Sequence, residues 1–250
     1  MSRLIAVRSV WRCLPLFVSA RPRTPLRVLC VMAFDALHQL RYSTPLPVAT
    51  HRVLAALLDF GACANAIFDD KPHCRQELER TRQMLDEAGL HAIVEDVLRR
   101  LSDLEGSRPS PFGDDRHFQE ARLYREAVAR LWLETLAATA GIGSTQDDDV
   151  LELLFRIVMQ CQIIDDVLDY SRDASAGLPT FLTASASLSE AIERTHQAAG
   201  EYARGRTVSR SDEVLPLRAV LGIASICARL MISFRRRPVV AAAASSAVLP

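Results

Sequence analysis

The sequence is organised around an apolar stretch that ends in three carboxylates, Gln160-Cys161-Gln162-Ile163-Ile164-Asp165-Asp166-Val167-Leu168-Asp169-Tyr170. The apolar spacing predicts one helix over residues 147–170, so these acids fall at its C-terminal end. Negative side chains there face the negative pole of the helix dipole, which costs about 0.3–1 kcal/mol for each exposed charge. The simplest reason for acids at this end is a bound cation, and the alternative is a helix end that is merely solvated.

The spacing of these acids suits a magnesium ion. Asp165 and Asp169 are four residues apart and share one face of a helix, and Gln162, Asp166 and Asp169 lie on nearly the same stripe. Mg²⁺ is usually held by one or two carboxylates together with substrate phosphates. The stretch therefore predicts a site for Mg²⁺ and a diphosphate.

The composition favours a helical globular protein. The chain has 250 residues, of which 49% are hydrophobic, 24% charged and only 6% aromatic. Ala, Leu and Arg are abundant, which favours helix over sheet. We find no convincing strand and no internal repeat, so the expected fold is all-α. We expect a basic N-terminal segment over residues 1–24, one helical domain over 25–234 and an irregular tail over 235–250.

Helical periodicity, interrupted by Pro and Gly, divides the domain into separate helices. We predict them over residues 25–41, 48–70, 73–88, 92–104, 116–140, 147–170, 187–204 and 213–233. The second of these helices carries small residues at Gly61, Ala62, Ala64 and Ala66. These residues would let a neighbouring helix or a ligand approach closely.

Charge is unevenly distributed, although the net charge is zero. All thirty acids lie between Asp35 and Glu213, so both ends of the chain are basic. Basic ends favour an anionic membrane surface or nucleic acid, or they have no dedicated partner. The terminal arginines lack interleaved aromatics and a nucleic-acid module. We therefore expect no nucleic-acid partner and keep peripheral membrane contact as an option.

The cysteines and apolar segments bear on location. The six cysteines form no C-x-x-C pair and no zinc spacing, and most read as small core residues of a cytoplasmic protein. No run of 18 uninterrupted apolar residues occurs, so we predict no transmembrane span. Residues 4–20 resemble a weak signal or transit peptide, but Arg8 and Arg12 interrupt its apolar region and we expect no cleavage.

A second acidic feature closes the second predicted helix. It consists of Asp59, Asn65, Asp69 and Asp70, with Asn65 and Asp69 one turn apart on a common face. Taken alone, these residues are equally well explained as helix surface. Together with the stretch that ends at Tyr170, they predict two acidic helix ends that hold metal ions across a cavity.

Two stretches resemble the trans-polyprenyl diphosphate synthases. The segment from Gln162 to Tyr170 is similar to the second aspartate-rich motif of that family, and Gly177-Leu178-Pro179-Thr180-Phe181-Leu182 is similar to its Gly-Lys-Pro-Thr-Leu-Pro segment. Squalene and phytoene synthases and class I terpene cyclases share its helical fold and metal chemistry. The resemblance implies the isoprenoid synthase fold, a single-domain antiparallel bundle of helices around a central cavity.

The resemblance also implies a metal site. The Mg²⁺ ligands would be Asp69, Asp70, Asp165, Asp166 and Asp169, with two or three ions expected around the bound diphosphate, and Asp69, Asp165 and Asp166 as the catalytic residues. Gln162 would line the site. Asn65 and Asp59 would stand beside the first motif and contact the substrate.

Basic and aromatic side chains are candidates for the rest of a substrate site. Arginine suits bidentate contact with phosphate, and the candidates for a diphosphate clamp are Arg122, Arg125, Arg172, Lys71 and Arg75. Each could equally be a solvated surface charge. The candidates for a hydrocarbon pocket are Phe60, Phe68, Tyr124, Trp132 and Phe155. Ordinary core packing is the alternative for these aromatics.

The implied activity is ionisation of an allylic prenyl diphosphate by a Mg²⁺-dependent prenyltransferase or terpene synthase, with isopentenyl diphosphate as an optional co-substrate and a homodimer as the family's habit. The sequence departs from the family at three points. His73 stands where the first motif ends in Asp, no Arg-Arg-Gly follows it, and Leu178 replaces a lysine. The alternative is a non-catalytic helical homologue that acts as partner or regulatory subunit of an active synthase.

Overall fold

The computed structural model describes residues 24–68, 74–110, 115–143, 149–204 and 215–246, with the side chains of 24–26, 29, 115, 215–216 and 236–246 left aside. Eight α-helices are described: α1 Thr24–Tyr42, α2 Val48–Phe68, α3 Arg75–Glu87, α4 His91–Gly106, α5 Asp115–Thr139, α6 Asp149–Ser175, α7 Leu188–Arg204 and α8 Leu215–Ser246. No strand occurs in these ranges. The predicted all-α class is confirmed, and each predicted helix has its counterpart in the same order.

The end of α6 corrects the prediction that the acidic stretch closes a helix. The helix continues past Tyr170 to Ser175, and it ends where Gly177 adopts a left-handed φ of 64°. The Leu178 N–H donates back to the Asp173 carbonyl at 2.9 Å, which is the glycine-based helix stop. Nothing between Tyr170 and Gly177 breaks a helix. Asp165 and Asp166 therefore lie in the helix interior, and the dipole argument does not apply to them.

Residues 235–246 are helical where the sequence predicts an irregular tail, and residues 247–250 of that tail lie outside the described residues. Helix α8 extends to Ser246, beyond the end near Ser233 that the loss of apolar periodicity predicts. Residues 241–244 are four consecutive alanines, and alanine has the highest helix propensity of all residues. Backbone propensity can continue a helix after its buried face has ended.

Two compact units make up the chain. The first comprises Met1–Glu105, Leu131–Leu151 and Ser209–Leu217, and the second comprises Gly106–Arg130, Glu152–Val208 and Arg218–Pro250. In the first unit, α2 packs against α1 and α3. Its buried side chains include Val28, Val31, Phe34, Leu54, Leu57 and Phe60. The second unit buries Phe118, Phe155, Met159, Ile163, Ile192 and Ile232.

A buried carboxylate joins α1 to the start of α2 in the first unit. Asp35 Oδ1 accepts the Leu46 N–H at 2.9 Å and lies 3.0 Å from His51 Nε2. Asp35 Oδ2 accepts a hydrogen bond from Gln39 Nε2 at 2.6 Å. Asp35 is fully buried and His51 almost so. The carboxylate thus holds the connection between the two helices through Oδ1, while Oδ2 is satisfied within α1.

Gly61 allows the close approach that its small side chain predicts. A Cβ at this position would lie 2.8 Å from Trp132 Cζ2, which is too close for carbon atoms. The indole of Trp132 therefore packs directly on the α2 backbone. The group that approaches Gly61 closely is therefore a side chain of a neighbouring helix. Of the two partners that the sequence allowed at this position, a helix or a ligand, it is the helix.

Substitution of Gly61 by alanine is expected to lower the free energy of unfolding by about 1–3 kcal/mol, because the added methyl overpacks against the indole. Chemical denaturation measures the change. Gly222→Ala is the matched control, since a Cβ there meets nothing within 4 Å. That variant should be neutral or gain up to about 1 kcal/mol from helix propensity. Equal effects of both variants would contradict the packing argument.

Among the described residues, two helical segments are long and apolar enough to cross a membrane, and length and composition alone do not test the prediction of no span. They are Val48–Phe68 and Leu217–Arg235. Core helices of soluble proteins meet the same criterion of length and composition, and α2 buries ten residues, including Leu54 and Phe60. Both segments contain charged residues, so neither is an uninterrupted run of 18 apolar residues.

The cysteines are more exposed than the sequence predicts. Of the five that the structure describes, all free, Cys63 alone is buried, while Cys30, Cys74 and Cys161 are half-buried and Cys227 is exposed. Helical apolar runs can place a cysteine on either side of a helix. The apolar sequence context of the cysteines therefore predicts more of them to be buried than the structure shows.

Candidate functional site

The acidic stretch lies on α6, and its three carboxylates have different environments. Asp166 is only 3% exposed, whereas Asp165 is exposed and Asp169 is half-buried. Adjacent residues on a helix point about 100° apart, so neighbours can face the core and the solvent respectively. Asp165 and Asp169, one turn apart, remain on the accessible side. The stretch therefore separates into one buried acid and two accessible acids.

Asp166 uses both oxygens inside the second unit. Its Oδ1 accepts a hydrogen bond from Arg125 Nη2 at 3.0 Å, and its Oδ2 accepts the Phe181 N–H at 2.9 Å. Burial raises the pKa of Asp166 to about 6, against the opposing effects of the Arg125 charge and the Phe181 N–H. Arg125, one of the candidates for a diphosphate clamp, is thus a partner of the motif itself.

The stretch from Gly177 to Leu182 is anchored on Asp166 by this bond to Phe181. Thr183 Oγ1 accepts the Thr180 N–H at 2.8 Å, and Thr195 Oγ1 donates to the Phe181 carbonyl at 3.0 Å. Thr180, Phe181 and Thr183 are all buried. The two stretches that carry the family resemblance therefore meet, and Asp166 is the side chain that joins them.

Arg122 belongs to a network of side chains on α5 and α7. Its Nε lies 3.0 Å from both Glu126 Oε1 and Tyr202 Oη, and its Nη1 donates to Glu201 Oε2 at 2.6 Å. The Tyr202 hydroxyl donates to Glu126 at 2.6 Å. Burial alone would lower the pKa of Arg122, but these partners raise it above its ordinary value. The network joins α5 to α7.

Arg172 is the most exposed of the three predicted arginines in the second unit. Its side chain is 53% exposed, pairs with Asp169 three residues earlier, and has Nε 3.7 Å from Asp173 Oδ1. Exposed pairs of this kind contribute at most about 1 kcal/mol and exchange readily with other anions. Arg172 is therefore the clamp candidate that can most easily change partner.

A buried arginine that the sequence analysis did not select lies one turn before the acidic stretch. Arg156 Nε donates to the Tyr202 carbonyl at 2.6 Å and its Nη2 to the Ala203 carbonyl at 2.7 Å. Burial lowers its pKa. A cation at the last carbonyls of α7 complements the helix dipole. The sequence does contain an indication of this role. Arg156 lies between Phe155 and Ile157, and a charge inside an apolar run needs a buried partner.

Gln160 and Gln162 leave polar atoms available within the same helix. Gln160 Nε2 donates to the Ala199 carbonyl at 2.7 Å, while its Oε1 is buried and finds no hydrogen-bond partner in the described part of the chain. Gln162 Oε1 is likewise buried without a hydrogen-bond partner among the described residues. Unsatisfied buried acceptors cost about 1–3 kcal/mol each. Gln162 thus retains the free acceptor that a role in lining a polar site requires.

The acidic feature at the end of α2, with Asp59, Asn65, Asp69 and Asp70, is only partly within the described residues. Asp69, Asp70, Lys71 and His73 lie outside them. Asp59 forms an ion pair with Arg27, and Asn65 is half-buried on α2. Arg75 is exposed at the start of α3. Asp59 therefore has a basic partner on α1 in the first unit.

The aromatic candidates divide between core and surface. Phe60 and Phe155 are buried, and Trp132 packs on Gly61. The Arg130 guanidinium lies 3.8 Å from the centre of the Phe155 ring, and the Tyr202 ring lies 6.3 Å from it. Tyr124 is half-buried and Phe68 is exposed. The contacts of Trp132 and Phe155 are those of ordinary packing, which is the alternative that the sequence left open.

The described residues contain no group of three or more His, Cys, Asp or Glu side chains that could hold a metal ion. Asp166 is buried and each of its oxygens already accepts a hydrogen bond, whereas Asp165 and Asp169 lie on the accessible side of α6. The remaining pair matches the smaller ligand set of one or two carboxylates that Mg²⁺ commonly takes from a protein. The second motif therefore fits a two-carboxylate site better than a three-carboxylate site.

Comparisons with protein-family models, with curated proteins and with solved structures find no match to this chain. The family resemblance consequently depends on the two stretches joined by Asp166.

Proposed function

We propose that this protein is a Mg²⁺-dependent enzyme that binds and ionises an allylic prenyl diphosphate. The observation that carries the proposal is the arrangement of α6. Asp165 and Asp169 are accessible one turn apart, while Asp166 fixes the stretch from Gly177 to Leu182 against the same helix. The isoprenoid synthase fold with its central cavity, a homodimer and a cytoplasmic location are parts of the same proposal.

In this proposal Asp165 and Asp169 hold the cation, and Asp166 is a positioning residue. Bound Mg²⁺ would neutralise the charge that develops on the leaving diphosphate. Asp166 restrains the motif through Arg125 and Phe181, so that Asp165 and Asp169 are held on the accessible side. Arg172 can release Asp169 and turn to a phosphate oxygen, because its side chain is exposed. Asp69 and Asp70 enter by resemblance as the first motif.

The test is incubation of the full chain and Mg²⁺ with geranyl, farnesyl or geranylgeranyl diphosphate, with and without isopentenyl diphosphate. Released pyrophosphate and extractable hydrocarbons are measured. Asp165→Asn and Asp169→Asn are each expected to reduce pyrophosphate release by about 100-fold or more, because electrostatic stabilisation of the leaving group is lost. The circular dichroism spectrum should stay unchanged, since neither acid is buried.

Asp96→Asn is the matched control. Asp96 pairs with Arg99 three residues later on α4, in the same spacing as Asp169 with Arg172. This variant removes the same charge from the same kind of pair and should release pyrophosphate at the wild-type rate. The proposal is refuted if the folded, Mg²⁺-supplied protein neither binds nor turns over any of the three diphosphates.

A second candidate is a non-catalytic partner or regulatory subunit of an active synthase. The observation that favours it is the pairing of the predicted clamp arginines with the protein's own acids: Arg122 with Glu201, Arg125 with Asp166 and Arg172 with Asp169. This candidate predicts that the isolated chain binds no Mg²⁺-diphosphate and that it co-purifies with an active prenyl synthase. Catalytic turnover by the isolated chain would exclude it.

A further inference from the structure

Helix α8 has two apolar faces, of which only one is buried. Leu217, Leu221, Ala224, Ala228 and Ile232 recur at helical spacing and are buried. Val220, Ile223, Ile226 and Leu230 lie on the opposite side and are 44%, 63%, 60% and 53% exposed. Surface helices normally carry polar residues opposite their buried face. These four residues define the exposed apolar stripe of α8. We therefore expect a binding partner to bury it.

The charged residues of α8 itself are all arginines. Arg218 and Arg229 are exposed along one edge of the stripe, and no acid occurs after Glu213 in the sequence. Arg235 is half-buried and donates from Nε to the Val167 carbonyl at 3.3 Å. A helix with an apolar stripe and an exclusively basic flank is suited to a surface that offers both hydrocarbon and negative charge.

We propose that the exposed apolar stripe of α8 docks on the surface of an anionic lipid bilayer, with the helix lying in the interface. Val220, Ile223, Ile226 and Leu230 would enter the boundary between headgroups and acyl chains. Arg218 and Arg229 would bind lipid phosphates, which guanidinium groups contact in bidentate fashion. This inference is independent of the proposed enzyme activity, since it involves none of the predicted site residues.

Charge and packing argue against other occupants of the stripe. A second copy docked on the same stripe would bring the arginines of two acid-free helices together, which is unfavourable. A membrane-spanning arrangement would require α8, which belongs to the second unit from Arg218 onward, to expose its buried residues Leu221, Ala228 and Ile232. Nucleic acid would satisfy the arginines but leave the apolar stripe in water. An anionic lipid surface satisfies both features.

The test is co-sedimentation of the full chain with phosphatidylcholine vesicles, with and without phosphatidylserine as about a third of the lipid. The wild-type chain should bind the anionic vesicles at low salt and bind neutral vesicles at least about fivefold more weakly. The triple variant Ile223→Gln, Ile226→Gln, Leu230→Gln should lose binding by at least about tenfold, because three apolar side chains no longer leave water. Glutamine preserves helix propensity, and the three side chains are exposed, so the fold should be retained.

Leu123→Gln with Leu168→Gln is the matched control. Both leucines are exposed on other helices of the second unit, at 63% and 59%. This variant should bind vesicles as the wild type does. Arg218→Gln with Arg229→Gln should remove most of the preference for phosphatidylserine.

Three results would each overturn the proposal. They are absence of wild-type binding to anionic vesicles, equal binding to neutral and anionic vesicles, and unchanged binding by the triple variant. Sedimentation velocity without lipid tests whether a second copy of the chain, and not lipid, covers the stripe. A wild-type dimer that the triple variant converts to monomer, without any vesicle binding by the wild type, would assign the stripe to a second copy instead.

Discussion

Replacement of Asp166 by alanine is expected to lower the free energy of unfolding by about 3–5 kcal/mol, the cost of breaking a buried ion pair from one side. The substitution removes the acceptor of the Arg125 guanidinium and of the Phe181 N–H together. The Phe181 N–H is buried, so it loses its acceptor where bulk water does not reach. Urea denaturation followed by circular dichroism measures the loss.

Asp165→Ala is the control for this prediction. Asp165 is the preceding residue of the same helix and carries the same charge, but it is exposed. Its removal should change the free energy of unfolding by no more than about 0.5 kcal/mol. Similar losses for Asp165→Ala and Asp166→Ala would show that the acidic stretch acts through its charge and not through the bonds of Asp166.

The free energy of unfolding should also depend on pH through Asp166. Because the pKa of this carboxyl is raised, stability should fall as the pH rises. Its pKa is raised from 3.8 to about 6, so the folded state keeps a proton that the unfolded chain has lost over this interval. The part of the stability that comes from this retained proton is therefore full below about pH 4 and is lost as the pH rises through about 6. Asp166→Asn does not titrate, and its stability relative to the wild type should rise by up to about 3 kcal/mol across this range. A constant difference from pH 4 to pH 7 would contradict the buried position.

Replacement of Asp35 by alanine is expected to cost a similar amount, about 3–5 kcal/mol, because three buried groups lose their acceptor at once. The groups are the Leu46 N–H, the His51 ring and the Gln39 amide. Of these, the Leu46 N–H lies in the connection between α1 and α2 and has no freedom to turn to solvent. Loss of its acceptor should loosen the connection as well as lower global stability.

Chemical denaturation and amide hydrogen exchange measure the two effects of Asp35→Ala. Exchange at Leu46 should accelerate by more than the global loss of stability explains. Asp35→Asn keeps an oxygen for the Leu46 N–H and should be less damaging, while Asp96→Ala, an exposed acid on α4, should have almost no effect. An effect of Asp35→Ala as small as that of Asp96→Ala would show that the buried network contributes nothing to stability.

The helices could be predicted from the sequence because each has a local signal. Apolar residues at helical spacing marked their buried faces, and Pro or Gly marked most of their ends. Both extended helices had signals that periodicity does not contain. Gly177 was the stop of α6, with its left-handed φ, and the alanines at 241–244 continued α8 through backbone propensity. An apolar pattern reports where packing ends, which need not be where the helix ends.

For the candidate site, the sequence predicted which stretch carries the acids but not which way each side chain points. Spacing placed Asp165 and Asp169 on one face, and the structure keeps this pair accessible. Spacing also placed Asp166 near the stripe of Gln162, but it could not show that Asp166 turns inward. Arg122 was similarly selected for its charge, while its network with Glu126, Glu201 and Tyr202 depends on how α5 and α7 pack.

The sequence by itself determined that this chain is helical, where its helices lie and that α6 carries an acidic stretch. Those properties depend on residues within a few turns of each other, which periodicity and propensity report. Only the tertiary structure decided which of two adjacent aspartates is a buried anchor and which faces water. The deciding partners, Arg125 and the Phe181 N–H, lie 41 and 15 residues away along the chain. Packing alone brings them to Asp166 and leaves Asp165 exposed.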